Sequence, residues 1–357
     1  MSMARPVRIV IADDSAVARR LLRAHVEASG EVEVIGEARN GRQAVELAER
    51  LRPDLITMDL DMPVMNGLDA IAEIMAARAV PILVVTQASD AASACEAVRR
   101  GALEVTSKPD YSADQVAMLV ARIRLLAGVT MITRRRVAGG DGGSEAVPWG
   151  WPDAAAAGAR HSGAGPRVIA IAASTGGPQA LAGILPRLGA DFPCPILIAQ
   201  HISDGFAAGM AEWLASLCAL PVRLVEGGEP IEPGVIWLSP SEAHLVATGA
   251  HRLALRRREA DDVYRPSCDV LLDSVARAFG DRSVGLVLTG MGRDGVAGLG
   301  AIRRAGGTTL AQDEASSVIF GMNRRAIEAG VVQHVLPLDE VANALLRLAS
   351  REVANEP

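Results

Sequence analysis

The sequence predicts two α/β domains, each built on a doubly wound parallel sheet, with a flexible linker between them. Short apolar runs alternate with helix-like segments in both halves of the chain. Between the halves, residues 139–165 are dominated by Gly, Ala and Ser and have no helical or strand periodicity. At 357 residues the chain also exceeds the roughly 100 to 200 residues of one domain. We expect a first, smaller domain over 1–127, a linker over 128–165, a larger domain over 166–350 and a tail over 351–357.

Composition narrows the classes of protein to consider. A net charge of −6 argues against general nucleic-acid binding, which needs a concentrated basic surface. No apolar stretch approaches the ~20 residues that cross a bilayer, and the amino terminus lacks a signal-peptide core. The four scattered cysteines fit reduced thiols better than a disulfide framework or a zinc site. We therefore expect a soluble intracellular protein without membrane insertion. We also expect it to be a monomer.

The first half contains five predicted strands. A helix is predicted from about Ser15, because Val17, Leu21 and Leu22 share one helical face. Five strands in about 125 residues are typical of a small doubly wound sheet, which places its chemistry beyond the carboxyl ends of the strands. The apolar runs that predict these strands are residues 7–12, 32–35, 55–58, 82–85 and 103–105.

Acidic residues, a threonine and a lysine follow these strands: Asp13, Asp14, Asp59, Thr86 and Lys108. Three neighbouring carboxylates repel one another unless a cation joins them, and oxygen ligands suit Mg²⁺. One carboxylate of such a group can attack a phosphoryl donor while a lysine neutralises charge on the transferred oxygens. A hydroxyl at Thr86 could then contact the new phosphate. The alternative is that these aspartates only cap helices or begin turns.

This arrangement resembles the receiver domain of two-component response regulators, over Val7 to about Leu126. The resemblance implies that Asp59 is the phosphoacceptor and that Asp13 and Asp14, with Asp59, bind Mg²⁺. It also implies that Thr86 is the switch hydroxyl and Lys108 the phosphate-pairing lysine.

Three further positions bear on the receiver. The resemblance implies a cis bond between Lys108 and Pro109. Val105 stands where receivers often have an aromatic residue, so a switch that buries an aromatic ring cannot operate there as usual. Gln87, next to Thr86, stands where receivers commonly have a smaller residue. We expect this change to alter the lifetime of the phosphorylated form or its access to water.

The second half predicts a larger doubly wound sheet. Residues 234–256 contain short runs with close turns and predict a local antiparallel hairpin. No helix-turn-helix pattern is present in the sequence, which counts against a DNA-binding output. The runs that predict strands are residues 168–173, 195–199, 222–225, 283–289 and 308–311.

Ser174, His201 and Asp294 each follow an apolar run, so they can converge at one end of this sheet as nucleophile, base and orienting acid. The turn from Gly290 to Gly292 could leave the Met291 N–H free to donate to a developing oxyanion. This pattern indicates hydrolysis through an activated serine.

Alternatives for the same residues remain at this point. Ser174 could cap a helix in a phosphate cradle of a nucleotide-binding enzyme, although no G-x-G-x-x-G is present. His201 alone could be a structural histidine and Asp294 a turn residue. His244 follows Ser241 and Glu242 and could line a cleft.

The second half, from about Arg167 to Leu348, resembles the chemotaxis protein-glutamate methylesterase family. The motifs that carry this resemblance are Ser174-Thr175-Gly176-Gly177, Gln200-His201, Arg265-Pro266-Ser267, Thr289-Gly290-Met291-Gly292 with Asp294-Gly295, Gln312-Asp313-Glu314-Ala315-Ser316 and Phe320-Gly321-Met322.

The resemblance implies the triad Ser174, His201 and Asp294, with Thr175 and Met291 near the oxyanion. It also implies hydrolysis of glutamyl methyl esters, and deamidation of glutamines, on chemoreceptor cytoplasmic helices, without a cofactor for hydrolysis. The unphosphorylated receiver is expected to block the catalytic crevice until a chemotaxis histidine kinase phosphorylates Asp59. A cytoplasmic location at receptor arrays follows.

The sequence departs from the family in two places. Ile202-Ser203-Asp204 replaces a more apolar, proline-bearing stretch, and Asn323 stands where proline is usual. Two other classes of protein compete with the esterase: a phosphorylation-switched binding module without catalysis, and a nucleotide-binding α/β enzyme.

Overall fold

The computed structural model describes residues 5–87, 91–129, 167–259 and 262–350. The predicted tail, and the predicted linker beyond Val129 with its Trp149 and Trp151, lie outside these residues. The proposed domain limits therefore stay predictions.

The first half forms a five-stranded, all-parallel sheet in the order β2-β1-β3-β4-β5, with helices between the strands. Ser15 caps α1 by accepting a hydrogen bond from the Ala18 N–H. The last strand begins and ends later than predicted. The elements are β1 (Val7–Ala12), α1 (Ala16–Glu27), β2 (Val32–Ala38), α2 (Gly41–Leu51), β3 (Leu55–Met58), α3 (Gly67–Ala77), β4 (Ile82–Thr86), α4 (Ala91–Arg99), β5 (Glu104–Ser107) and α5 (Ala113–Ala127).

The second half forms a seven-stranded parallel sheet and a separate two-stranded antiparallel hairpin, so both predicted sheets are confirmed. The elements are β6 (Val168–Ala173), α6 (Gly177–Ile184), β7 (Ile196–Gln200), α7 (Ala207–Leu217), β8 (Val222–Leu224), β9 (Ile236–Leu238), β10 (Ala243–Ala247), β11 (Leu253–Arg257), α8 (Cys268–Phe279), β12 (Ser283–Val287), α9 (Val296–Arg304), β13 (Thr308–Gln312), α10 (Met322–Glu328), β14 (His334–Leu336) and α11 (Leu338–Ser350). The sheet order is β14-β13-β12-β6-β7-β9-β8, and β10 pairs with β11.

Two short strands differ from the sequence prediction. β9 lies inside the segment expected to form only a hairpin, yet it joins the large sheet between β7 and β8. The sequence does not predict β14, because this strand is three residues long and Leu336 is its one buried residue. Such strands are too short to show periodicity and form because a neighbouring strand supplies their hydrogen bonds.

The two halves bury their central strands on both faces. Every residue of β3, β4, β6, β7 and β12 is buried, which explains why these strands read as continuous apolar runs. Across the described ranges, no helix combines the length and apolar character needed to cross a membrane. All four cysteines are free thiols.

The prediction of a cis bond between Lys108 and Pro109 is wrong. Among the described residues, the cis peptide bond is Arg265–Pro266. An X–Pro bond prefers the trans form by about 0.5 to 1 kcal/mol unless its surroundings require otherwise. Here the Lys108 ammonium reaches both Asp13 and Asp59 without a cis bond.

Candidate active site and receiver site

The strand-to-helix turn after β6 exposes Ser174 at the edge of the large sheet. Gly176 adopts a left-handed backbone, with φ of 79°, and a side chain there would place Cβ 2.6 Å from Cβ of Val318. A Cβ on Gly177 would lie 2.1 Å from Oε1 of Gln200. The two glycines are therefore required by space, and the turn brings the serine beside β7.

His201 follows β7, which pairs with β6 so that Ala173 and Gln200 are neighbours. Its Nδ1 lies 3.1 Å from Oγ of Ser174, and its Nε2 lies 2.8 Å from Oδ2 of Asp294. A proton on Nε2 donates to the carboxylate and leaves Nδ1 as the acceptor for the serine hydroxyl. The structure thus brings the three predicted residues into one hydrogen-bonded chain.

Asp294 is 1% exposed and accepts several hydrogen bonds besides the one from His201. Oγ of Ser267 and the N–H groups of Cys268 and Asp269 donate at 3.1, 2.6 and 2.8 Å. Burial alone would raise the pKa of Asp294, but the bond from His201 and the two backbone donors together hold that pKa below its ordinary value. The acid therefore stays ionised in a buried position.

Sequence reasoning missed two parts of this site. The donors to Asp294 come from the amino terminus of α8, where Ser267 is the capping residue. Tyr264 stacks on the ring of His201, with centroids 5.2 Å apart and an interplanar angle of 12°. An aromatic residue just before Arg265-Pro266-Ser267 was the available signal for Tyr264. Backbone donors have no residue signature.

The residues expected near the oxyanion flank Ser174. A Cβ on Gly290 would lie 2.4 Å from Cβ of Ser174, so the loop that carries Met291 passes directly against the serine. Met291 is 48% exposed at the surface of this loop, whereas Thr175 is buried. Both residues border the serine, on two different segments.

The receiver residues also meet at the edge of their sheet. Asp13 and Asp59 are buried and Asp14 is exposed, and one ligand oxygen from each lies within 4.8 Å of the others. The Lys108 ammonium contacts Oδ2 of Asp13 at 2.8 Å and Oδ2 of Asp59 at 2.6 Å. Thr86 is buried at the end of β4 in the same sheet.

The charges of this cluster are only partly compensated. Burial, with a contribution from Asp13, raises the pKa of Asp59 even though Lys108 and the Leu60 N–H oppose this. Burial would lower the pKa of Lys108, but its hydrogen bonds to the two carboxylates raise it overall. Three carboxylate oxygens against one ammonium fit a site for a divalent cation, since hard cations prefer such ligands.

The two halves contact each other beside Ser174. Oγ1 of Thr175 donates to Oε2 of Glu104 on β5 at 2.6 Å, and Arg122 of α5 holds the other oxygen of Glu104 at 2.7 Å. Cys95 of α4 packs into the apolar core of the second half, and Val318 packs against that of the first. The receiver half therefore covers the residue that follows the serine.

The two departures from the family have local partners. Asp204 forms a two-pronged ion pair with Arg258, at 2.7 and 3.1 Å, which ties the loop after His201 to the hairpin. Asn323 is fully buried and donates to the carbonyl of Gln312 at 2.8 Å. A polar contact thus accompanies each replacement.

Comparison with known proteins covers both halves. The second half matches the family model described as CheB methylesterase over residues 169–345, and the first matches the response regulator receiver domain over residues 9–120. A protein-glutamate methylesterase/protein-glutamine glutaminase of Paramagnetospirillum magneticum is 51% identical over 352 residues, covering 98% of each chain. One from Anaeromyxobacter dehalogenans is 45% identical and covers 96% of this chain and 97% of its own. The crystal structure of the Thermotoga maritima CheB methylesterase catalytic domain is 34% identical, with a TM-score of 0.50, and covers 52% of this chain and 99% of its own.

Proposed function

The chain belongs to the CheB methylesterase family, and from this premise we propose that it hydrolyses glutamyl methyl esters, and deamidates glutamines, on chemoreceptor cytoplasmic helices. The observation that supports this best is the continuous hydrogen-bonded chain from Ser174 through His201 to Asp294. A nucleotide-binding role for the serine turn is not favoured, because this histidine and acid would then have no use.

Ser174, His201 and Asp294 each have a separate role in the first half of the reaction, the formation of the acyl-enzyme. Nδ1 of His201 takes the Ser174 proton while Oγ attacks the ester carbonyl carbon, and Asp294 stabilises the resulting imidazolium. Backbone N–H groups at Thr175 and Met291 stabilise the charge on the carbonyl oxygen. The proton on Nδ1 then passes to the departing methoxide as the C–O bond breaks, which releases methanol.

Deacylation repeats the same steps with water. His201 removes a proton from water, the oxygen attacks the acyl carbon, and Ser174 leaves with the proton returned by the histidine. The product is a glutamate carboxylate. With a glutamine substrate the first leaving group is ammonia, and the second half of the reaction is unchanged.

The receiver half is proposed to control access. A chemotaxis histidine kinase supplies the phosphoryl group, and Mg²⁺ held by Asp13, Asp14 and Asp59 supplies charge neutralisation when bound. A carboxylate oxygen of Asp59 attacks phosphorus while the bond from phosphorus to the histidine nitrogen of the kinase breaks and the kinase's histidine leaves, and Lys108 pairs with the transferred oxygens. The contact of Glu104 with Thr175 supports an arrangement in which the unphosphorylated receiver covers the crevice.

A methanol-release assay tests this proposal. The full chain is incubated with receptor membranes carrying labelled methyl groups, with and without a small phosphodonor and Mg²⁺. We expect phosphodonor-stimulated methanol release, a loss of at least about 1000-fold in Ser174→Ala, and basal but unstimulated release in Asp59→Asn. Substantial esterase activity of folded Ser174→Ala would contradict the assignment of the nucleophile.

A cytoplasmic location at receptor arrays belongs to the same proposal. A fluorescent fusion of the full chain should form clusters with the receptors in cells. Uniform fluorescence in cells whose receptors do cluster would contradict recruitment.

A further inference from the structure

A second buried histidine lies behind the triad. His244 on β10 has no exposed surface. Its Nδ1 accepts a hydrogen bond from the Ser267 N–H at 2.8 Å, and its Nε2 lies 2.8 Å from Oδ2 of Asp262. A backbone N–H can only donate, so Nδ1 carries no proton and Nε2 donates to the carboxylate. Both ring nitrogens are therefore engaged, and the imidazole is neutral.

These contacts exclude His244 from the reaction itself. A general base must reach the substrate or the nucleophile. His244 is enclosed between the hairpin and α8, and it does not line the cleft that the sequence allowed. Its influence on catalysis has to pass through the residues that it holds.

Ser267 connects His244 to the triad. The Ser267 N–H is held by His244, while its side chain caps α8 and donates to Oδ1 of Asp294. The next two N–H groups, those of Cys268 and Asp269, also donate to Asp294. A displacement of the backbone at Ser267 would therefore move three donors of the catalytic acid together.

We propose that His244, fixed by Asp262, is a positioning residue that holds the amino terminus of α8 so that its donors orient Asp294, and through it His201, toward Ser174. This inference rests on the proposed triad chemistry. The unbroken series of contacts runs from Asp262 through His244 and Ser267 to Asp294. A displacement of about 1 Å in such a site lowers the rate by about 100-fold.

The first experiment compares His244→Leu with the parent chain. The rate of Ser174 labelling by a fluorophosphonate is measured with phosphodonor and Mg²⁺ present, because it then reports the activated serine without a receptor substrate. We expect labelling to be about 10- to 100-fold slower, with kcat for methanol release lowered by a similar factor and KM unchanged. The proton resonance of the bond between His201 and Asp294 should shift or broaden.

Ser274→Ala is the matched control. Oγ of Ser274, also on α8, accepts from the Ala247 N–H of the same strand β10 at 3.0 Å. Its removal breaks another contact between the same two elements without touching the α8 amino terminus. We expect a lower Tm with the parent's labelling rate and proton resonance. If both variants lose labelling in proportion to their lost stability, His244 is merely structural and the proposal is overturned.

Two milder variants decide the question if His244→Leu does not fold. His244→Gln can donate to Asp262 and accept from Ser267, and we expect it to recover labelling to within about 5-fold of the parent. Asp262→Ala removes the outer partner of His244, together with the bonds of Asp262 to the Glu259 N–H and to Arg256, and should slow labelling less than His244→Leu would. Labelling at the parent rate in folded Asp262→Ala, together with an unchanged proton resonance, would overturn the proposal.

The two readouts separate this inference from the proposed function. If the parent labels with fluorophosphonate but releases no methanol from receptor membranes, the receptor substrate is wrong, while the comparison of variants still stands. If the parent does not label even with phosphodonor and Mg²⁺ present, Ser174 is not activated and both proposals fail.

Discussion

The aspartates Asp59 and Asp294 occupy comparable places, yet their pKa values move in opposite directions. Both follow a buried strand of a parallel sheet, and both are almost fully buried. Burial raises the pKa of Asp59, whereas the hydrogen bonds around Asp294 outweigh burial and lower its pKa. The difference lies in how many donors the chain itself supplies.

The receiver site has too few positive partners, and the catalytic site is complete. Asp59 shares one ammonium with Asp13 and receives one backbone N–H, that of Leu60. Asp294 receives an imidazole, a hydroxyl and two backbone N–H groups. The proposed phosphorylation site, which would accept a cation and a phosphoryl group, keeps uncompensated charge, whereas the proposed catalytic acid is held in one geometry by donors of the chain.

Among the changes that test this contrast, the largest effect is expected from Gly290→Ala, which tests how strictly the catalytic geometry is held. The new Cβ would lie 2.4 Å from Cβ of Ser174 and 2.6 Å from Sδ of Met322, so the serine or the loop that carries Met291 must move. We expect methanol release to fall by about 100-fold or more, while Asp59 is phosphorylated at the parent rate.

Gly249→Ala is the matched control for this change. Gly249 lies in the turn of the hairpin, and a Cβ there meets nothing within 4 Å. Its activity should equal that of the parent. Parent activity in folded Gly290→Ala would mean that the catalytic site is as adaptable as the receiver site.

The same contrast explains what the sequence could predict. The five receiver strands and the triad were accessible because each functional residue follows an apolar run within a few residues, and the carboxyl ends of parallel strands meet at one edge. The donors to Asp294 were not accessible, because two of them are backbone N–H groups. Glu104 has no local feature that predicts its partner, since Thr175 lies 71 residues further along the chain.

The rate of Cys95 labelling should show whether phosphorylation of the receiver site acts on the active site by separating the two halves. Burial, with a contribution from Glu212, raises the pKa of Cys95 to about 12, and its side chain packs into the core of the second half. Thiol reagents attack the thiolate, so labelling of the docked chain should be slow. Phosphodonor and Mg²⁺ should accelerate Cys95 labelling by about 10-fold, a coupling typical of switching proteins.

A Cys218→Ser background removes the half-buried thiol that would compete for reagent. Cys194, which has no exposed surface, serves as the internal control and should stay unlabelled. The phosphodonor could stimulate methanol release and yet leave the rate of Cys95 labelling unchanged. That result would rule out separation of the halves as the way in which the receiver controls the active site.

A smaller effect is expected from Glu104→Gln. The change removes the charge that accepts from Thr175 and pairs with Arg122. If about 1 kcal/mol of association between the halves is lost, unphosphorylated methanol release should rise by about 5-fold. Glu31→Gln is the control, because it breaks an exposed ion pair with Arg124 of the same helix α5, and it should leave the rate unchanged. Equal rates in both variants would exclude Glu104 from the inhibitory contact.

The subtlest prediction concerns stability against pH and tests the two aspartates directly. Because the pKa of Asp294 is lowered in the native state, its stabilisation is fully present above the ordinary value of 3.8 and is lost as pH falls through the lowered native pKa. The pKa of Asp59 is raised, so its ionised form destabilises the native state at neutral pH, and this cost disappears as pH falls from the raised native pKa toward 3.8.

Asp59→Asn should therefore increase the free energy of unfolding at pH 7, and the gain should shrink as pH approaches 3.8. Asp294→Asn should decrease it at pH 7, and this loss should persist down to about 3.8, where protonation of the parent begins to match the variant. Urea unfolding of both variants and the parent at several pH values measures these differences. If both variants change the free energy of unfolding at pH 7 in the same direction, the chain compensates the charges of Asp59 and Asp294 alike. The contrast between the two sites would then be wrong.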